Sequence, residues 1–201
     1  MRPHTRSALL PIALVLLAGC SAPEPHLITA TYGDATMSRK VLVAYATRAG
    51  STAEVADSIG RAMAACSAVV DVKPARDVTD ISAYQMVVLG SAVHAGQLMP
   101  EVKAIVRKHK AALQQKQVAG FVVCLAAKDT TAAARKSAAG YLEPVRKELK
   151  LVSEAAFAGR MDYLKLSPLG RFFLKNVIKA PEGDYRNWPA IKAWAEGLCG
   201  R

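Results

Sequence analysis

Three hydroxyl-bearing residues and a glycine lie within six positions near residue 50. They are Thr47, Gly50, Ser51 and Thr52, and Arg48 lies among them. Hydroxyl groups, the free amides at the start of a helix and a glycine that can adopt unusual backbone angles together suit a bound phosphate. The alternative is an ordinary helix start capped by Ser or Thr. Because the spacing matches neither Gly-x-x-x-x-Gly-Lys nor Gly-x-Gly-x-x-Gly, a nucleoside triphosphate and NAD are disfavoured.

The elements that must position this loop form an alternating pattern along the chain. Apolar runs bounded by turn residues alternate with segments of helical period, which predicts an α/β fold with a parallel sheet. The segment 76–84 is predicted to form one helical turn at most. The predicted strands are 41–46, 68–72, 86–90, 119–125 and 152–158, and the predicted helices are 53–65, 99–115, 131–149 and 188–198.

Right-handed crossovers favour a doubly wound, five-stranded sheet with helices on both faces, giving three α/β/α layers. Among such sheets we predict the strand order 2-1-3-4-5. Proteins with this architecture bind their ligands beyond the carboxyl ends of the strands, near the point where the strand order reverses. The loops 47–52, 91–97 and 126–130 are therefore predicted to meet at one site.

These loops resemble those of the flavodoxin-like family. Residues 47–52, Thr-Arg-Ala-Gly-Ser-Thr, are similar to the family's Thr/Ser-x-x-Gly-x-Thr phosphate loop, and residues 90–97 are similar to its flavin-flanking loop. The resemblance covers residues 40–198 and implies a flavodoxin-like fold with FMN as cofactor. The cofactor-binding residues that it implies are Thr47, Arg48, Ala49, Gly50, Ser51 and Thr52 in the first loop, Ser91, Ala92, Val93, His94, Ala95 and Gly96 in the second, and Leu125, Ala126 and Ala127 in the third.

Residues 163–187 resemble the branch of this family that contains the menaquinone-dependent protoporphyrinogen oxidase (protoporphyrinogen IX dehydrogenase) of haem biosynthesis. This resemblance implies a membrane-associated oxidoreductase that passes electrons from a reduced substrate through FMN to a quinone. His94 is the candidate catalytic residue, and the alternative is a surface or helix-capping histidine. The second loop lacks an aromatic residue that would stack on the flavin, and the acidic surface of soluble electron carriers is missing. A non-catalytic electron carrier and a cofactor-free envelope binding protein are the alternative functions.

The net charge of +11 points to an anionic partner, either a membrane surface or a small polyanion. No nucleic-acid-binding motif is present, so nucleic acid is not a predicted partner. The segment 160–179 mixes leucine, phenylalanine, lysine and arginine. Such a segment is able to lie on an anionic membrane, to shape a site for an anionic substrate, or to pack against the sheet.

The first 20 residues resemble a lipoprotein signal peptide. Arg2 and Arg6 precede an apolar stretch over 8–17, which is too short to span a bilayer. The stretch ends in Leu-Ala-Gly-Cys, which resembles a bacterial lipobox that would be lipidated at Cys20. We therefore predict a signal peptide over 1–20, a flexible linker over 21–38 and the domain over 39–201, anchored in the cell envelope. A translation start at Met37 is the alternative, and it would place a cytoplasmic or peripheral protein at the inner membrane.

Three further cysteines, Cys66, Cys124 and Cys199, are widely spaced. Their spacing predicts neither a disulfide framework nor a metal site. Cys124 lies in an apolar run and is predicted to be a buried core thiol.

Overall fold

The computed structural model describes residues 22–129 and 131–200, so the predicted signal peptide and Cys20 lie outside the described residues. The described chain forms one large sheet and a two-stranded ribbon. The strands are β1 (Ala30–Tyr32), β2 (Lys40–Ala46), β3 (Val69–Pro74), β4 (Met86–His94), β5 (Gln97–Leu98), β6 (Gln117–Val123), β7 (Ser153–Phe157), β8 (Arg160–Met161) and β9 (Gly183–Asp184).

Helices cover both faces of the large sheet. The α-helices are α1 (Ser51–Ala64), α2 (Pro100–Leu113), α3 (Ala132–Gly140), α4 (Glu143–Arg146), α5 (Pro168–Phe172) and α6 (Trp188–Glu196). Short 3-10 turns occur at Ala75–Asp77, Leu125–Lys128 and Tyr163–Lys165, and a π turn at Phe173–Val177. The single turn predicted within 76–84 is therefore confirmed.

The large sheet has the order β1-β3-β2-β4-β6-β7, and the five strands from β3 to β7 in this order are mutually parallel. This is the predicted order 2-1-3-4-5. Ile59 of α1 and Ile191 of α6 pack in the core on one face, whereas Val106 of α2 and Leu142 pack on the other. β2 is buried at every residue after Lys40, as its continuous apolar sequence predicts for a strand covered on both faces. The predicted three-layer α/β/α fold is confirmed.

Two predicted element boundaries are wrong. The helix predicted over 131–149 is divided into α3 and α4, because Pro144 lacks the N–H that a continuous helix would need and is tolerated only in a first turn. The third predicted strand ends at residue 90, whereas β4 continues to His94 and pairs with β5. Residues 91–94 are therefore strand rather than loop.

The segment predicted to be a flexible linker packs on the domain over residues 27–32. Leu27 and Ile28 contact the core cluster that includes α1. The Tyr45 hydroxyl accepts a hydrogen bond from the Ile28 N–H at 2.6 Å and donates one to the Ile28 carbonyl at 2.9 Å. β1 then adds an antiparallel edge to β3. Residues 27–32 are therefore packed on the domain rather than extended as a linker, because half-buried apolar side chains within them contact its core.

A disulfide joins Cys66, just beyond α1, to Cys199, just beyond α6. The sequence analysis predicted no disulfide, since the two cysteines are separated by 133 positions and carry no local signature. Cys124 is a buried free thiol, as predicted. Among the described residues, no helix has both the length and the apolar character needed to cross a bilayer.

Candidate functional site

The ends of four parallel strands lie side by side at one edge of the sheet, which we call the carboxyl edge. Ala46 at the end of β2 lies opposite Ser91 of β4. Val123 at the end of β6 lies between Ala92 of β4 and Phe157 of β7. The segments that follow β2, β4 and β6 therefore meet here, as the strand order predicted.

The first loop is shaped for an anion. Gly50 adopts a left-handed conformation with φ of 96°, directly before α1, and its N–H donates to Thr47 Oγ1 at 3.0 Å. The first N–H of α1 that bonds back is that of Ala53, which donates to the Gly50 carbonyl at 3.0 Å. The amides of Ser51 and Thr52 precede that bond, at the positive end of a 14-residue helix.

Thr52 carries the clearest sign of a missing partner. Its side chain is fully buried, and its Oγ1 has no hydrogen-bond partner among the described residues. A buried hydroxyl without a partner costs about 1–3 kcal/mol, so such groups normally have a ligand, a water or another protein group as partner. The hydroxyl, the adjacent amides and the left-handed glycine together fit a phosphate monoester. Arg48 is exposed in the same loop and adds positive charge.

The Ser91 hydroxyl in the second loop forms its hydrogen bonds within the protein. Its side chain is buried, its hydroxyl donates to the Ala92 carbonyl at 2.7 Å, and it accepts from the Met99 N–H at 2.9 Å. These bonds fix the end of β4 against the start of α2. The side chain therefore shapes the loop, while the role of Ser91 in binding the cofactor stays a prediction.

The second loop ends in a tight hairpin turn. His94 pairs with Gln97, and the two residues between them, Ala95 and Gly96, have φ of 49° and 74°. Positive φ at both central positions is the pattern of a type I′ hairpin turn, and glycine adopts such angles without strain. Val93 is half-buried and pairs with Leu98, whereas His94 is exposed at the end of β4. The turn therefore projects beyond the carboxyl edge with His94 at its base.

The third loop forms a half-buried 3-10 turn that contains Leu125, Ala126 and Ala127. Ala127 also lines a cavity of about 510 Å³, and half of the residues that line this cavity are alanines, including Ala138 of α3 and Ala155 of β7. Lys128 lies 4.0 Å from the centroid of the Tyr185 ring at this cavity. Thr130, at the end of the predicted loop, is outside the described residues.

Gly159 borders the first loop and Arg186 contacts the first turn of α1 next to it, and neither residue was predicted from the sequence. A Cβ on Gly159 would lie 3.4 Å from Ser51 Oγ, so the glycine admits close approach of this loop. The Arg186 side chain is only 4% exposed and pairs at 2.5 Å with both Glu54 of α1 and Asp184 of β9. The sequence signal for Gly159 was a glycine directly after the fifth strand, whereas Arg186 left no local signal.

The ion pair between Arg186 and Asp184 shifts the pKa values of both groups. Hydrogen bonds from Arg186 hold the pKa of Asp184 below its usual value. Burial acts to lower the pKa of Arg186, but the hydrogen bonds to Asp184 and Glu54 outweigh it, so this pKa is raised. Asp184 and Arg186 are therefore charged at neutral pH, and the ion pairs of Arg186 fix β9 against the start of α1.

We expect this network to weaken in acid. Because the folded pKa of Asp184 lies below its ordinary value of 3.8, its contribution to stability is fully present above that pH and is lost as the pH falls through the folded value. Asp184→Asn should lower the urea midpoint at pH 6 and lose less stability than the wild type on going to pH 3. The exposed Asp77→Asn is the matched control and should keep the wild-type pH dependence. Equal pH dependence in both variants would contradict the assignment.

The family model for the flavodoxin domain matches residues 42–187 of the chain. No curated protein matches the sequence significantly.

Solved structures show the same fold at low sequence identity. A flavodoxin from the domain Archaea has a TM-score of 0.53 and 14% identity, and the match covers 80% of this chain and 96% of that one. The two-electron reduced flavodoxin of Megasphaera elsdenii has a TM-score of 0.50 and 16% identity, covering 80% and 99%. The rubredoxin oxygen:oxidoreductase of Desulfovibrio gigas has a TM-score of 0.50 and 14% identity, covering 81% of this chain but 36% of that one. These likenesses establish the fold.

Proposed function

The chain belongs to the flavodoxin domain family, and we propose that it is a redox protein that holds FMN at the carboxyl edge of its sheet. Homologues with this fold bind FMN. The observation that carries the proposal is the buried, unpartnered hydroxyl of Thr52 beside the first amides of α1. When bound, FMN supplies the electron-transfer chemistry, and the protein binds and orients it.

Each of the three loops has its own part in this proposal. The Thr52 hydroxyl and the amides of Ser51 and Thr52 would hold the phosphate, and Gly50 gives the backbone turn that points them at it. The hairpin turn after β4 and the 3-10 turn after β6 would flank the flavin ring, with contacts from Ala92 to Gly96 and from Leu125 to Ala127.

As the specific reaction, we propose electron transfer from a reduced substrate of the protoporphyrinogen class to a membrane quinone. The resemblance of residues 163–187 to the quinone-coupled branch supports this choice, and so does the net charge of +11, which favours an anionic surface. His94 is the proposed proton-transfer residue, since it is exposed beside the second loop.

An electron carrier without a substrate of its own is the second candidate. Among the predicted cofactor-binding residues of the second and third loops, His94 is the only one with an acid–base side chain. Electron transfer by FMN needs no acid–base pair, so such a site serves a carrier as well as an enzyme.

One series of measurements on the purified full chain tests both candidates. We expect yellow protein with flavin absorption bands and one FMN per chain. Reduced protein that is reoxidised by a menaquinone analogue, with turnover on a reduced porphyrinogen, supports the enzyme. Bound FMN without turnover on any quinone supports the carrier. Protein that stays colourless after reconstitution with excess FMN would overturn both.

We also propose that the protein is a lipid-anchored envelope protein, acylated at Cys20. The Cys66–Cys199 disulfide supports an oxidising compartment, where such bonds persist. The packing of residues 27–32 on the domain supports a start upstream of Met37, because a start at Met37 would remove β1 and its contacts. Mass spectrometry of the membrane fraction should find an acylated peptide beginning at Cys20. A mature N-terminus at Ser38 would overturn the anchor.

A further inference from the structure

Most of the large exposed apolar side chains of the described residues lie in one short segment, 163–179, which we call the docking segment. Outside it, the only such side chain among the described residues is Trp188, at 39% exposed. Leu169 is 74% exposed and Leu164 70%. An apolar patch of this kind on a folded domain marks an interaction surface. Its members are Leu164, Leu169, Phe172, Phe173, Val177 and Ile178.

Basic residues are interleaved with these apolar side chains. Lys175 and Lys179 are exposed next to Phe172, Phe173 and Val177, and Lys165 and Arg171 lie earlier in the same segment. The docking segment itself contains no acidic residue. Apolar side chains mixed with lysine and arginine are typical of segments that lie in the interface of an anionic bilayer, where both kinds of group are favourably placed.

The docking segment is attached to the domain beside the first loop. It leaves the domain through β8 and returns through β9, which pair with each other. At this base, the Tyr185 N–H donates to the Gly159 carbonyl at 3.2 Å, and Arg186 pairs with Glu54 in the first turn of α1. The exposed apolar side chains therefore extend from the carboxyl edge of the sheet, the same edge that carries the three loops.

The N-terminal segment reaches the domain at the same edge. A Cβ on Gly50 would lie 3.9 Å from the carbonyl oxygen of His26, so His26 lies against the first loop. Cys20 is six residues earlier in the sequence, and six residues span about 20 Å at most when fully extended. An acyl group on Cys20 would therefore hold the carboxyl edge within a short distance of the lipid.

We propose that the docking segment inserts its apolar side chains into the headgroup region of an anionic bilayer and turns the carboxyl edge towards the membrane. The docking itself needs no FMN, so it goes beyond the proposed function. Its consequence rests on that function: the redox partner is then an apolar molecule dissolved in the bilayer, which meets the cofactor without leaving the lipid.

Tryptophan reporters on the full chain test this docking. Phe172→Trp places a reporter in the docking segment, and Ala111→Trp places a matched reporter on the exposed face of α2 near its C-terminus, at the opposite edge of the sheet. Each protein is bound to vesicles that contain anionic brominated phospholipids and is isolated by flotation, so that only vesicle-bound chains are measured. The emission of Trp188 and Trp194 is removed by subtracting the wild-type spectrum.

We expect the lipid bromines to quench the added emission of Phe172→Trp by about half or more, since interfacial segments bury their apolar face among the acyl chains. Ala111→Trp should be unquenched. Zwitterionic vesicles should quench Phe172→Trp less than anionic ones. The proposal would be overturned if the wild type did not float with the vesicles, or if the two reporters were quenched equally. Equal quenching of Phe172→Trp in anionic and zwitterionic vesicles would show that the charge of the lipid plays no part in the docking.

A second copy of the chain is the competing occupant of this surface. In that case, Phe172→Trp would show blue-shifted emission and the mass of a dimer without any lipid, and bromines would not quench it. The measurements are made with and without FMN. Quenching of Phe172→Trp in protein that binds no FMN would support the docking and contradict the proposed function. The failure of one proposal can therefore be distinguished from the failure of the other.

Discussion

Thr52→Val is expected to weaken FMN binding roughly 10- to 100-fold, because a hydrogen bond to a charged group contributes about 1.5–3 kcal/mol. The side chain is fully buried and its Oγ1 lacks a partner among the described residues. Valine keeps nearly the same shape and removes only the hydroxyl. The cofactor-free protein should therefore be as stable as the wild type or more stable, since a buried polar group without a partner is removed. Fluorescence titration with FMN and urea unfolding of the cofactor-free protein measure the two effects.

The opposite signs of these two effects make the test specific. A residue with only a structural role would lose stability and affinity together. Thr79→Val is the matched control, because Thr79 is exposed on the connection between β3 and β4. It should change neither quantity. Unchanged FMN affinity in Thr52→Val would remove this hydroxyl from the phosphate site, and a large loss of stability would show that the hydroxyl has a protein partner.

Cys66→Ser is expected to lower the free energy of unfolding by roughly 3–5 kcal/mol, which is the range for a disulfide that closes a long loop. The bond ties the end of α1 to the end of α6 across 133 positions, and both helices pack on the same face of the sheet. Without it, the unfolded chain gains conformational freedom. For a chain of this size, the melting temperature should fall by roughly 10 °C.

Reduction of the wild type supplies the internal control for this prediction. Dithiothreitol should lower the stability of the wild type to that of Cys66→Ser and leave the variant unchanged. Cys199→Ser should behave identically, because each substitution removes the same bond. A wild type that does not respond to dithiothreitol, or a variant that matches the oxidised wild type, would show that the bond does not form in the protein.

Local sequence patterns were sufficient for the sheet and the first loop. The continuous apolar runs of β2, β4 and β6 indicated strands buried on both faces, and their alternation with helices restricted the connections to a doubly wound order. That order alone brings the ends of β2, β4 and β6 to one edge. The Thr-x-x-Gly-Ser-Thr pattern is itself local, so the position of Gly50 before α1 was also predictable.

Sequence patterns were misleading where the surroundings of a residue are formed by residues far away in the sequence. Residues 21–38 contain proline and polar residues, yet Leu27 and Ile28 pack against the core because Tyr45 and α1 offer them a surface. The sequence pattern also did not reveal that the Ser91 hydroxyl bonds to Ala92 and Met99, and the contact of Ser91 with the cofactor stays a prediction.

The sequence by itself determined the fold family, the strand order and the position of the first loop before α1, because each depends on the order of residues within a few turns or strands. Only the tertiary structure decided which distant groups meet. Folding brings Cys66 to Cys199, and it brings Arg186 to Glu54 across 132 positions. It also left the apolar residues of the docking segment exposed, although their pattern fitted packing on the sheet equally well. Burial and pairing are properties of the whole packed chain, and no local window of sequence contains them.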